Sequence, residues 1–217
     1  MQTELQDAGK LQLLLGKLAI EAPKKAVLSV TNECQMRCKM CYNWTQKDLK
    51  PMSISRWTHV VDDLHSLNPD MLINLIGGEP LGSPATLEMV RRASNLGMNT
   101  SLTTNAGLID ESMANAINRS GLRTLCLSLD SLERDKHDRF RGTKGAFDGV
   151  MSAIDRITVP EIVIQTIIMD SNVSEMNKML DWAETKPNIT GVFFMAIMKP
   201  HYTNLTDACL SCTSHLQ

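Results

Sequence analysis

From residue 25 onward the chain alternates between two hydrophobic periods, and that alternation restricts its fold more than any other feature. Short apolar runs, KAVLSV (25–30), MLINLI (71–76), NTSLTT (99–104), RTLCLSL (123–129), EIVIQTII (161–168) and GVFFMAI (191–197), are bounded by Gly, Pro, Asn or Asp, as buried strands are. Between them, residues 53–67, 83–97, 110–121, 145–157 and 174–186 carry apolar side chains at helical spacing, several behind a Ser or Asp in an N-cap position. Strands separated by helices make an α/β pattern. Parallel strands need crossover connections, which helices supply, so the expected architecture is a parallel sheet with helices outside. A doubly wound open sheet and a partial barrel both meet the pattern. No linker rich in Gly and Ser interrupts residues 25–197, which read as one domain between an N-terminal helical extension (1–24) and a short C-terminal tail (198–217).

Charge and hydropathy exclude several classes of function. A formal net charge of -2 over 217 residues, with no run of like charge, lacks the footprint of a nucleic-acid binder. No stretch approaches the roughly 20 apolar residues of a membrane span. The N-terminal segment carries Glu4 and Asp7 where a signal peptide is basic, and Lys17 breaks its apolar run, so it reads as an amphipathic helix. These features predict a cytoplasmic protein. In that reducing compartment clustered cysteines serve as metal or redox ligands rather than disulfides.

The chemistry-bearing residues gather at the C-terminal ends of the strands, where β/α folds place their sites. TNECQMRCKMCYN (31–43) leaves the first strand, GGEP (77–80) the second, TTN (103–105) the third and SLD (128–130) the fourth. The period of two in strand four puts Leu125, Leu127 and Leu129 toward helices and turns Cys126, Ser128 and Asp130 inward. Cys34, Cys38 and Cys41 are soft ligands suited to an iron–sulfur cluster, zinc or copper(I). A [4Fe–4S] cube takes one ligand per iron, so three thiolates leave one iron open. Zinc completed by His59 or His65 is the rival, but neither histidine stands at a zinc-site spacing, and cluster ligation is favoured. Cys126 reads as a strand residue, and Cys209 with Cys212 as an unassigned pair. The charged run ERDKHDRFR (133–141) reads as a solvated loop, and the histidines form no cluster and receive no role.

The CxxxCxxC spacing resembles the signature of the radical SAM superfamily, as do GGEP, TTNAG, and SLDS followed by HDRFRGTKGAFDGV, all in the family's order. The resemblance implies a partial (β/α)6 TIM-like barrel. It implies a [4Fe–4S] cluster on Cys34, Cys38 and Cys41, with the open iron chelating S-adenosylmethionine (SAM). Reductive cleavage of SAM would then give a 5′-deoxyadenosyl radical that abstracts hydrogen from a substrate. In that family Gly77, Gly78, Glu79 and Pro80 would face the methionine ammonium, and Thr104, Asn105, Ser128 and Asp130 the ribose or carboxylate. Arg141 would pair with the carboxylate, and Gln165 would face the cavity. An external one-electron reductant of the flavodoxin or ferredoxin kind is implied, with a peptide or a small molecule as substrate. The loops most resemble the branch that modifies peptides or proteins and usually carries a C-terminal domain for auxiliary clusters. The tail after strand six holds too few cysteines for such a domain, so either the barrel works alone or the chain is a truncated or divergent member. A non-enzymatic iron–sulfur carrier or sensor on the same barrel is the alternative.

Overall fold

The computed structural model describes Leu13, residues 21–45 and residues 51–196. One sheet holds β1 (Lys25–Ser29), β2 (Leu72–Ile76), β3 (Thr100–Thr104), β4 (Thr124–Ser128), β5 (Glu161–Ile168) and β6 (Ile189–Ala196). Every neighbouring pair is parallel, and the order in space is the order in the chain. That order decides between the two expected architectures. A doubly wound sheet reverses its strand order at a switch point. Here each strand adds on the same side, and right-handed crossovers then put the helices on one face. A twisted sheet covered on one face curls into an open partial (β/α)6 barrel, with β1 and β6 as its two edges.

The outer layer holds α1 (Ile54–Leu67), α2 (Ala85–Asn95), α3 (Glu111–Asn118), α4 (Arg134–Arg141), α5 (Ala146–Arg156) and α6 (Met176–Glu184). Ser53 caps α1 by accepting from the Arg56 N–H at 3.3 Å, and Asp110 caps α3 by accepting from the Met113 N–H at 2.7 Å. Alternate strand residues Ile73, Leu75, Leu102, Leu125, Leu127, Ile162 and Ile164 are buried in one core with Val61, Met89, Val90, Ile117, Val150 and Met179 of the helices. The opposite, concave face is more polar. Thr103 pairs in register with Cys126 and Ser128 with Gln165, so these half-buried side chains line the inside of the curl.

Helix α4 corrects a sequence expectation. The run ERDKHDRFR is a helix rather than a solvated loop, and its buried residues are His137 and Arg141. It carries no apolar stripe, so hydrophobic periodicity had nothing to register. The tail with Cys209 and Cys212, and nearly all of the N-terminal extension, lie outside the described residues. No helix among the described residues is long and apolar enough to cross a membrane.

Candidate active site

A cavity of about 450 Å³ opens at the C-terminal ends of the strands. Cys34, Cys38 and Cys41 line it together with Gly77, Gly78, Thr104, Asn105, Ser128 and Arg141. Four loops that are distant in sequence thus meet as the motif positions required.

The cysteine loop is seated on the end of α4. The Arg37 N–H donates to the Arg141 carbonyl at 3.2 Å and the Lys39 N–H to the Phe140 carbonyl at 2.9 Å. The last carbonyls of a helix lack intrahelical donors, and here the loop provides them. Gly142 ends α4 at φ 61°, and a Cβ there would fall 2.2 Å from the Arg37 carbonyl oxygen. The other side of the loop rests on the second-strand motif. The Gly78 N–H donates to the Thr31 carbonyl at 2.7 Å and the Glu79 N–H to the Glu33 carbonyl at 2.8 Å. A Cβ on Gly77 or Gly78 would stand 2.3 Å from a carbonyl oxygen of this loop, so both glycines are required by the cysteine loop itself. Arg37 folds back to donate to the Cys34 carbonyl at 2.6 Å and the Met36 carbonyl at 2.9 Å, and stacks on Trp44.

Four expected site residues do not line the cavity. Glu79 is 1% exposed and its carboxylate accepts three hydrogen bonds, from the Leu81 N–H (3.1 Å), the Thr104 hydroxyl (2.7 Å) and the Asn105 N–H (2.8 Å). Pro80 is buried at the start of a 3₁₀ turn. Asp130 is 0% exposed; its Oδ2 stands 2.8 Å from Arg141 Nη2, and its Oδ1 accepts from the Ile167 N–H at 3.0 Å. Gln165 lies on the concave face and accepts from the Thr103 hydroxyl at 3.4 Å. His137, given no role from sequence, is buried beside this group and accepts the Asp130 N–H on Nδ1 at 3.1 Å.

Residues that sequence reasoning missed add to the lining. Tyr42, Asn43 and Trp44 directly follow the third cysteine, and Thr103, Ile167 and Met195 occupy concave positions of their strands. The period of two carried a signal for Thr103 and Ile167, which share a face with Asn105 and Gln165.

The thiol set suits an iron–sulfur cluster. Cys34, Cys38 and Cys41 are free. Burial pushes the Cys34 and Cys38 thiols up, opposed by the Met36 N–H at Cys34 and by the Arg141 charge at Cys38. Among the described residues no group of three or more His, Cys, Asp or Glu side chains is gathered tightly enough for a single metal ion. A cube cluster takes one thiolate on each iron, so its ligands stand around it instead of meeting at one atom. His59 and His65 do not line the cavity.

The sequence pattern described as the Radical SAM superfamily matches residues 28–183. This chain belongs to the radical SAM superfamily. Radical SAM proteins use a [4Fe–4S] cluster and SAM, the pair expected from sequence, and solved members superpose on this barrel. Streptococcus suis SuiB bound to S-adenosylmethionine does so with a TM-score of 0.72 and 19% identity, over 91% of this chain and 46% of that one. The methyltransferase TsrM of Kitasatospora setae, with a [4Fe–4S] cluster bound, gives 0.55 and 15% identity, over 80% of this chain and 34% of that one. Among curated radical SAM relatives, AdoMet-dependent heme synthase of Methanosarcina barkeri is 26% identical over 75% of this chain and 48% of its own length. PqqA peptide cyclase of Gluconobacter oxydans is 29% identical over 57% of this chain and 35% of its own length. The chain thus spans about half or less of these curated relatives.

Proposed function

We propose that this chain is a radical SAM enzyme that cleaves SAM reductively at a [4Fe–4S] cluster on Cys34, Cys38 and Cys41. The observation that carries the proposal is the convergence of three free thiols with the GGEP, TTN and SLD loops on one cavity. When bound, cluster and SAM supply a 5′-deoxyadenosyl radical that takes a hydrogen atom from substrate. The chain binds and orients. Gly77 and Gly78 present main chain toward the methionine ammonium, and the hydroxyl of Ser128 faces the ribose, whereas the Thr104 hydroxyl is held by Glu79. Arg141 serves the carboxylate: it lines the cavity at 7% exposed, and its Nε–H is a buried donor without a hydrogen-bond partner. Glu79 and Asp130 act one layer back, as braces for Asn105 and Arg141.

The substrate is a peptide or protein, and an external flavodoxin- or ferredoxin-like protein delivers the electron. SuiB bound to its precursor peptide SuiA superposes with a TM-score of 0.72 at 18% identity, which supports this substrate class. So does the unclosed barrel, whose last strand exposes Phe193 and Met195. A small-molecule substrate is the second reading, favoured by the likeness to heme synthase.

Anaerobic reconstitution with iron and sulfide, followed by dithionite and SAM, tests the proposal. The expected result is a brown protein that forms 5′-deoxyadenosine well above a Cys38→Ala control. A brown protein that forms none is an iron–sulfur carrier or sensor. A protein that stays colourless and binds zinc is a zinc module. Either outcome overturns the enzyme.

A further inference from the structure

Asn105 was expected on the SAM ribose or carboxylate, yet its side chain is occupied elsewhere. Its Oδ1 accepts from the Gly107 N–H at 2.9 Å and from Gln35 Nε2 at 2.8 Å. A main-chain N–H can only donate, so the Gly107 contact fixes which end of the amide is oxygen. The NH2 group must then face the other way, and there it donates to Cys34 Sγ at 3.5 Å. The residue is 7% exposed, and its own N–H is held by Glu79 Oε2 at 2.8 Å. Ala106, next in the chain, takes φ 61°, a left-handed conformation costly for alanine, to bring Gly107 back under the amide.

We infer that Asn105 is a positioning residue that donates an N–H···S hydrogen bond to the Cys34 thiolate and thereby raises the reduction potential of the cluster. The inference rests on the cluster proposed above. Reduction adds negative charge that is shared by the sulfurs, so a donor aimed at a ligand sulfur stabilises the reduced form more than the oxidised one. Glu79 and Gln35 hold the donor in place; neither needs to touch SAM for this effect.

The test is an EPR-monitored redox titration of reconstituted protein without SAM, comparing wild type with Asn105→Ala and Asn105→Asp. Both variants should hold the wild-type amount of iron and sulfide. Their midpoints should fall by the equivalent of about tenfold in the reduction equilibrium, 59 mV for a one-electron couple. The Asp variant should fall furthest, because it replaces the donor with a negative charge. Unchanged midpoints in cluster-loaded variants overturn the inference. A wild-type protein that takes up no cluster defeats the proposed function instead, so the two failures are distinguishable. Should the variants fail to load, wild type labelled with 15N at the asparagine side-chain amide gives a second reading. Pulsed EPR of its reduced cluster should show a weak 15N coupling, and absence of that coupling overturns the inference.

Discussion

Arg141 Nη2 lies 2.8 Å from Asp130 Oδ2, with 9% and 0% of the two side chains exposed. This contact fastens the last residue of α4 to the end of β4, and with it the helix end on which the cysteine loop sits. The carboxylate oxygen has no well-aligned hydrogen bond, so the contact is an ion pair carried by charge and proximity. Asn172 Nδ2 donates to the Asp130 carbonyl at 2.8 Å and ties the same point to the residues after β5.

Removing one partner of this pair strands a buried charge. Asp130→Ala and Arg141→Met should each destabilise the apoprotein by about 3–5 kcal/mol in urea unfolding. The double variant Asp130→Leu/Arg141→Met should cost clearly less than the two single losses together, because it leaves no unpaired charge. Additive losses would show that the pair contributes nothing beyond its separate side chains.

His137 makes stability depend on acid. Burial, helped by the Arg141 charge, holds its pKa down to about 3, against an ordinary value of 6.5. Between these values the unfolded chain binds a proton that the native state refuses. The stabilisation is therefore complete above pH 6.5 and is lost as pH falls toward 3. Unfolding free energies measured downward from about pH 7 should fall by about 1.4 kcal/mol per pH unit from this group. His137→Asn, whose carbonyl oxygen can still accept the Asp130 N–H, should lose that slope.

Two glycines separate backbone strain from loop displacement. Gly142 and Gly145 both have positive φ, 61° and 85°, but only at Gly142 would a Cβ meet the cysteine loop. Gly142→Ala and Gly145→Ala should each cost about 1 kcal/mol or more through strain. Iron content after reconstitution should drop in the first alone. An equal drop in both would locate the effect in α4 or α5 and not in the loop.

Glu79 joins two loops through one carboxylate. Glu79→Gln puts an NH2 group against donors, so a loss of about 1–3 kcal/mol is expected. Burial pushes the carboxyl of Glu79 up despite its donors. Its contribution is thus full below the ordinary carboxylate value and declines as pH rises through the raised one. The gap between wild type and variant should narrow across that window in parallel urea titrations. A gap that widens with pH would mean that the carboxylate is stabilised, not strained, by its site.

The frame was legible because each strand is a short apolar run and each apolar-striped helix declares its period. The concave position of Ser128 followed from alternation alone, and the register of β3, β4 and β5 bears it out. Helix α4 was hidden because its inward face is a histidine and an arginine, which composition scores as solvent-facing. Glu79 and Asn105 stood out by their motifs, but the direction of their side chains was not legible. Glu79 is turned by Thr104, 25 residues away, and Asn105 by Gln35, 70 residues away. Hydrophobic pattern carries no record of such polar pairings. Alternation alone left a doubly wound sheet and a partial barrel both open, since strand order is a property of the assembled sheet.

The residues on either side of Cys38 belong to α4 as much as to the proposed cluster site, since Arg37 and Lys39 donate to the last two carbonyls of that helix. A loop whose main-chain donors are already committed has few conformations left to surrender. Ordering a free backbone costs about 1–2 kcal/mol per residue, and here that cost falls on folding of the apoprotein rather than on ligand capture. Affinity for iron and sulfide then becomes a property of helix integrity as well as of sulfur chemistry. Thermal fraying of α4 would loosen the cluster before any thiolate is chemically altered.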